Sequence, residues 1–416
     1  MSHTQFPTES HQFLTQKLPF YLDLLRQMVA INSFTANAAG VNQLGQLTAE
    51  LFAELGFTAE FIPSAHPNFG QHLVLTRPGK SGRKIGCISH LDTVFPPDEE
   101  IRNDFHWREE GDRIYGPGTV DIKGGTIAIY MMLDAIRALH PALYDDVTWV
   151  LLIDSSEEDL ADDFGELCRQ RLEDPQTLGA LIFEGGYMND DNQEFWVVRS
   201  RKGMGVFNVA VEGKSSHAGS AHTLGANAIV QMAEVIQRLA ALTDYERQVT
   251  VNVGVVKGGT VTNRVPHFAQ ARLEMRTFDP DVYEETIEKI MALSELSTVQ
   301  SVDDGYPCRV TVTLERRTLP WPINDATNKL LHIWQEAGAE LGLRVEPEDR
   351  GGLSDGNHFW FAVPCIDGLG VAGGNAHSSE RNPDGSKDQE FCLPASLIPK
   401  TLLNVTAVLK LIATDQ

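Results

Sequence analysis

The sequence predicts an α/β protein with a mainly parallel central sheet flanked by helices, interrupted by a smaller α+β module of ferredoxin-like order. Three observations predict it. Short, continuous apolar runs at residues 85–89, 147–153 and 180–183 alternate with stretches of helical periodicity, the pattern of strands buried on both faces of a layered sheet. From residue 203 the order becomes strand, helix, strand, strand, helix, strand, a split βαβ arrangement. A chain of 416 residues also exceeds what one ordinary hydrophobic core organises. The expected division is a discontinuous first domain, 1–202 and 318–416, with 203–317 inserted.

Taken in order, residues 20–31 and 41–55 place Leu22, Leu25 and Val29, then Leu44, Leu47, Leu51 and Leu55, at helical spacing, and Gly56 closes the second helix. Strands are expected at 72–75 and 85–89, then a helix over 124–139 with Ala128, Met131, Met132, Ala135, Ile136 and Leu139 inward. In the inserted module, strands are expected at 203–213, 249–257, 269–277 and 309–315. The helices between them run over 225–242 and 280–293, the first with Ile229, Met232, Ala233, Ile236 and Leu239 on one face. Signals of the first kind resume at 325–341 and 364–369, and a final helix covers 396–412.

Composition excludes several classes. With 42% hydrophobic and 22% charged residues the chain is an ordinary globular sequence. Its formal charge of -23 opposes nucleic acid or an anionic membrane as a partner, because such binding is driven by basic residues and counterion release. Five cysteines, Cys87, Cys168, Cys308, Cys365 and Cys392, are scattered and form no C-x-x-C pair. That favours a reducing, cytoplasmic setting over a disulfide framework or a structural zinc knuckle. The first ten residues lack a basic region followed by an apolar core, and no later run reads as long enough to span a bilayer. Neither a signal peptide nor a membrane anchor is expected.

The chemistry concentrates where strands end. The run at 85–89 ends on His90-Leu-Asp92, and a glycine-rich turn, Gly116-Pro-Gly-Thr-Val-Asp121, delivers a carboxylate at the start of the next helix. The run at 147–153 leads into Asp154-Ser-Ser-Glu157-Glu158, and the one at 180–183 into Glu184. Ligands of open α/β sheets sit beyond the carboxyl ends of the strands. One acid at such an end is commonly a cap or surface residue, but five acids and an imidazole at corresponding ends can converge on a divalent metal.

Further motifs follow: Gly213-Lys-Ser-Ser-His217-Ala-Gly, Thr262-Asn263-Arg-Val-Pro266, Gly351-Gly352-Leu-Ser-Asp355 and His377. In this order and spacing the whole set resembles the co-catalytic zinc hydrolases, the family of glutamate carboxypeptidase (carboxypeptidase G), acetylornithine deacetylase, succinyl-diaminopimelate desuccinylase and aminoacylase. The Gly-Pro-Gly before Asp121 and a glutamate at 184 look most like the glutamate carboxypeptidase branch. The resemblance implies a zinc-peptidase catalytic domain with an inserted ferredoxin-like lid and dimerisation domain. It also implies two zinc ions per chain, with cobalt or manganese as substitutes. His90 and Glu184 would hold one, Glu158 and His377 the other, and Asp121 would bridge them. Asp92 would accept a hydrogen bond from the other ring nitrogen of His90, and Glu157 would be the general base. His217 would reach the active site of a partner subunit and stabilise the oxyanion, with Asn263 doing similar work, so a homodimer through the inserted domain is expected.

The implied reaction is cleavage of an amide bond in a small peptide or N-acyl amino acid, read first as a carboxypeptidase. A cation of the inserted module, Arg317 or Arg316, or else Arg276, would pair with the substrate carboxylate, and N–H groups of the Gly351-Gly352 turn would assist. An N-acetyl or N-succinyl amino acid deacylase shares this chemistry; a catalytically silent metal-binding protein is the alternative outside enzymes. His222, near His217, shows no ligand spacing. One departure stands out. Relatives place a glutamate a few residues after the final histidine, whereas His377-Ser-Ser-Glu380 is followed here by a turn-rich insertion before Gln389-Glu390-Phe391.

Overall fold

The computed structural model describes residues 8–159, 162–189 and 193–414; most of the segment on which the absence of a leader was read, residues 1–7, lies outside these. Two compact units divide the chain. One comprises Met1–Arg199, Ile323–Asp349 and Ser354–Gln416, the other Ser200–Pro322 with Arg350–Leu353.

The first unit is built on a six-stranded sheet. Its strands are β1 (Thr58–Pro63), β2 (Gln71–Arg77), β3 (Lys84–His90), β4 (Thr148–Asp154), β5 (Thr177–Ile182) and the short Cys365–Ile366, in spatial order β1-β2-β4-β3-β5-365. From β4 to the far edge all pairs are parallel, and β2 runs against its neighbours. The last six residues of both β3 and β4 are buried, so their unbroken apolar runs do reflect two covered faces. Register sets the three carboxyl ends nearly flush: His90 pairs with Asp154 and Ile88 with Ile182.

Helix α1 (Lys123–Leu139) is buried through Ile136 and packs close over the sheet. A side chain at Gly124 would meet the Thr119 carbonyl oxygen at 2.2 Å, and one at Gly125 the Phe183 carbonyl oxygen at 2.1 Å. Only glycine permits that approach, and it brings the Asp121 turn beside the end of β5. The last helix, Pro394–Thr414, corrects one expectation. Its stretch 394–413 is long and apolar enough to cross a bilayer, yet 67% of that stretch is buried inside the protein, and it is a core helix.

The second unit has β6 (Gly203–Glu212), α3 (Ala228–Ala240), β7 (Thr250–Gly258), β8 (Phe268–Thr277), α4 (Pro280–Met291) and β9 (Arg309–Thr318), with spatial order β7-β8-β6-β9 and every pair antiparallel. This is ferredoxin-like topology. Asn227 and Asp279 cap the two helices, each accepting from two backbone N–H groups. Phe207, Met232, Val235, Leu239, Tyr283 and Ile290 lie in its core.

Three further features differ from expectation. The first helix, Thr8–Val29, starts well before residue 20; Pro19 lies inside it and breaks up the sequence pattern. β1 was missed because it is an edge strand with little burial to impose alternation. Two small sheets, one with Glu194–Arg201 and Arg344–Arg350, the other joining Arg113–Tyr115 to Phe391–Cys392, pair segments far apart in sequence.

Candidate active site

The flush strand ends bring the acids and imidazoles of the first unit together. His90 Nε2 lies 3.1 Å from Asp121 Oδ1 and 3.8 Å from Glu184 Oε1. His377 Nε2 lies 3.2 Å from Asp121 Oδ2 and 3.2 Å from Glu158 Oε2. Asp121 therefore turns one oxygen to each histidine. Its carboxyl is held below the usual range: hydrogen bonds from His377 and His90 outweigh the opposing effect of burial.

Two triads, His90/Asp121/Glu184 and Asp121/Glu158/His377, each offer ligand atoms within 4.8 Å of one another. Mixed imidazole and carboxylate donors, three to a site with a shared carboxylate, fit a pair of divalent ions of the zinc type with positions left open for substrate. The electrostatics agree. Burial first, then the neighbouring acids, push the Glu157 carboxyl well above its ordinary range, with His90 opposing. Burial and Asp121 likewise raise Glu158. Positive charge at the centre would relieve both effects.

The histidines set a measurable linkage. Hydrogen bonds to Asp121 and Glu158 raise His377 to about 11, and His90 is also raised, its bonds to Asp121 and Asp92 outweighing burial. Raised values favour the doubly protonated rings in the metal-free protein, and a ligating nitrogen must lose that proton. Loading metal at pH 7 is expected to release protons, and affinity is expected to climb with pH. Calorimetry in buffers of different ionisation enthalpy measures this; a buffer-independent heat would contradict it.

The backbone carbonyl of Asp92 lies 3.0 Å from His90 Nδ1, and its carboxylate reaches several further groups. Fully buried, its Oδ1 accepts from the Glu157 N–H at 3.1 Å and lies 3.3 Å from His90 Nδ1. Its Oδ2 accepts from the Glu158 N–H at 3.3 Å and the Thr35 hydroxyl at 2.6 Å. One carboxylate thus ties a residue of the first triad to the segment carrying Glu157 and Glu158. Thr35 was missed, since nothing in the spacing around residue 35 marks it.

Glu390 was also missed as a site residue. Its Oε1 accepts from the N–H groups of Val120 at 3.0 Å and Asp121 at 3.2 Å. Burial and then the Asp121 charge push its carboxyl up to about 8. The insertion after His377 loops outward, fastened by Arg381 to Glu110 and Arg113 to Asp388, and returns Glu390 beneath the Asp121 turn. The available signal was the displaced glutamate itself. His377 has φ 65° and Asn375 φ 57°; for a histidine that left-handed backbone is strained by about 1–2 kcal/mol.

The second unit carries the remaining candidates. His217 is exposed, and its Nδ1 accepts from the N–H groups of Gly219 and Ser220, both at 3.1 Å. The proton of the neutral ring therefore sits on Nε2, facing away from the backbone as a donor. The Ala218 N–H donates to the Asn263 carbonyl at 3.0 Å, which joins the His217 and Asn263 loops. His222 is exposed and starts a single 3-10 turn. Arg276 donates to the Gly351 carbonyl at 3.3 Å, and Arg201 to those of Gly352 and Leu353 at 3.1 and 2.7 Å. Arginines thus hold the carbonyl side of the Gly351-Gly352 turn. Arg317 lies elsewhere, paired with Glu284 over the Tyr283 ring.

Comparison with known proteins agrees with this architecture. Residues 199–298 match the family model described as the peptidase dimerisation domain. The chain is 26% identical over 375 residues to carboxypeptidase G2 of Pseudomonas sp. (strain RS-16), covering 89% of this chain and 86% of that one. It is 26% identical over 351 residues to acetylornithine deacetylase of Pectobacterium carotovorum, covering 80% and 85%. Among solved structures, aminopeptidase PepT of Bacillus cereus has the same fold, with a TM-score of 0.75 at 20% identity over 95% of this chain and 99% of that one. By its ordered motifs, the match of residues 199–298 to the peptidase dimerisation domain and these relatives, the chain is similar to the metallopeptidases and amidohydrolases of the M20 type.

Proposed function

We propose that this protein is a dinuclear metal hydrolase that cleaves the amide bond of a small peptide or N-acyl amino acid, acting as a carboxypeptidase that releases a C-terminal residue. One observation carries the reading: Asp121 turns one oxygen to His90 and the other to His377, with Glu157 beside both triads. His90, Asp121 and Glu184 would hold one ion, and Asp121, Glu158 and His377 the other, with zinc the best match to the donors. Two such ions supply carbonyl polarisation and a water of lowered pKa.

The chain's own groups do the rest. Glu157 takes the proton of the attacking water and passes it to the leaving amine. A carboxyl raised by burial and neighbouring acids suits that two-way traffic. His217 of the partner subunit would offer its Nε2–H to the developing oxyanion, with Asn263 doing similar work. Arg276, set against the Gly351-Gly352 turn, and Arg317 are the candidates for the substrate carboxylate; each already has a carboxylate partner, Glu274 for Arg276 and Glu284 for Arg317.

The assembly proposed is a homodimer through the inserted module, taken as residues 203–317. β7 is an edge strand exposing Val255 and Val256, and Ile229 and Val230 of α3 are exposed at its end. An exposed apolar edge strand is ready to pair with a second copy. Five buried, unbridged thiols support a cytoplasmic setting. The likeness to acetylornithine deacetylase keeps an N-acyl amino acid deacylase as the second reading.

The test is metal content together with turnover. The purified protein is expected to bind about two ions per chain and to release amino acid from a panel of N-acyl amino acids and peptides with C-terminal glutamate. Chelation should abolish the release and added zinc restore it. Metal binding without turnover on any member would favour a catalytically silent protein; failure to bind metal would overturn the reading.

A further inference from the structure

One buried histidine outside the triads touches both ends of the connection that carries Glu157 and Glu158. His72, in β2, is 1% exposed. Its Nδ1 lies 2.9 Å from Oδ1 of Asp154, the last residue of β4. Its Nε2 lies 3.1 Å from Oδ2 of Asp163, at the start of α2 (Asp162–Leu172). The Ser155 N–H and hydroxyl also lie 3.2 Å from Nδ1, and a carboxylate at each ring nitrogen favours the doubly protonated ring. Burial would lower the ring's pKa, but the bonds to Asp154 and Asp163 outweigh it and hold it at about 9.

The same carboxylates reach further. Asp154 Oδ1 also accepts from the Ser156 N–H at 2.9 Å, fixing the turn that leads to Glu157. Asp163 Oδ2 accepts from the Ala65 N–H at 2.5 Å and the Ser64 hydroxyl at 3.3 Å. The Ser155 hydroxyl donates to the Gly70 carbonyl at 3.0 Å. A buried charged ring on a core strand is costly where an apolar side chain would pack, and here it gives Asp154 a counter-charge. That matters because Asp154 and Glu157 both act, after burial, to raise Asp355, so this side of the centre is already crowded with acid.

We infer that His72 is a positioning residue: by bridging Asp154 and Asp163 it fixes both ends of the β4–α2 connection and so sets the placement of Glu157 and Glu158. The inference rests on the proposed roles of those two glutamates. It has a selective consequence, because the connection supplies a ligand to the Glu158/His377 site and none to the His90/Glu184 site.

The experiment titrates metal-free wild type, His72→Gln and Asp163→Asn with Co2+, following the absorption bands of the two sites, and measures kcat and KM on the substrate that the panel identifies. His72→Gln should weaken the Glu158/His377 site about 10–100-fold, leave the other site within about 3-fold, and lower kcat about 10–100-fold with KM nearly unchanged. Asp163→Asn, milder because its side chain is 25% exposed, should move the same quantities in the same direction. If His72→Gln does not fold, Asp163→Asn decides. A folded variant with wild-type site affinities and kcat, or one weakened equally at both sites, overturns the inference. Wild type that binds no Co2+ sinks the functional reading itself, and this inference with it.

Discussion

Replacing Glu157 by glutamine is expected to leave both metals bound and to lower kcat by about 10²–10⁴-fold, the range for loss of a general base. Glutamine matches the side chain in size but cannot take up a proton. The proposed ligands are His90, Asp121, Glu184, Glu158 and His377, so metal content should stay at the wild-type value and KM should move little. The substitution also removes one half-buried acid from a cluster that burial and Glu184, Glu158 and Asp121 already push toward protonation. The metal-free variant should therefore melt no lower than wild type, the usual signature of a residue kept for function. Measuring metal per chain, steady-state rates and melting together separates this outcome from misfolding. A variant with near-full kcat would remove Glu157 from the mechanism.

Asp92→Ala is expected to damage both metal sites and the fold at once. The side chain accepts from the Glu157 and Glu158 amides and the Thr35 hydroxyl and lies 3.3 Å from His90 Nδ1, all at a fully buried position. Its removal strands these donors and leaves the buried His90 ring short of a counter-charge. A loss of about 3–5 kcal/mol in urea denaturation is expected. Metal affinity should fall about 10–100-fold at each site, as read by chelator competition, because Asp92 touches residues of both. This contrasts with His72→Gln, whose effect is confined to one site. Asp92→Asn keeps one acceptor oxygen but turns an NH2 group toward donors, and should fall between wild type and alanine. Selective loss at the His90 site alone would mean that Asp92 only orients that ring.

The candidate ligands were legible because their positions follow from strand ends. His90, Glu158 and Glu184 each stand within a few residues of an unbroken apolar run, and a parallel sheet brings such ends together on one edge. Asp121 announced itself through the glycines that let its turn approach the sheet. The ferredoxin-like module was legible from element order alone, since short connections leave few ways to arrange two helices on four antiparallel strands. Expected element ends mostly fell within a few residues of the observed ones. Thr8–Lys17 was lost to the proline that follows, and β1 to its exposure.

Other residues were invisible for a common reason. Thr35, His72 and Glu390 act through hydrogen bonds to groups far away in sequence, 57 to 270 residues for Asp92, Asp163 and Val120, and no local periodicity records such a pairing. The partners of the candidate arginines likewise needed the fold: Glu274 and the Gly351 carbonyl for Arg276, Glu284 for Arg317. The sequence by itself therefore determined the architecture, the resemblance and which side chains are candidates to hold metal, because hydrophobic period and motif spacing are properties of neighbours along the chain. Tertiary structure alone decided what holds those side chains in place, because burial and long-range hydrogen bonding exist only once distant segments share one core.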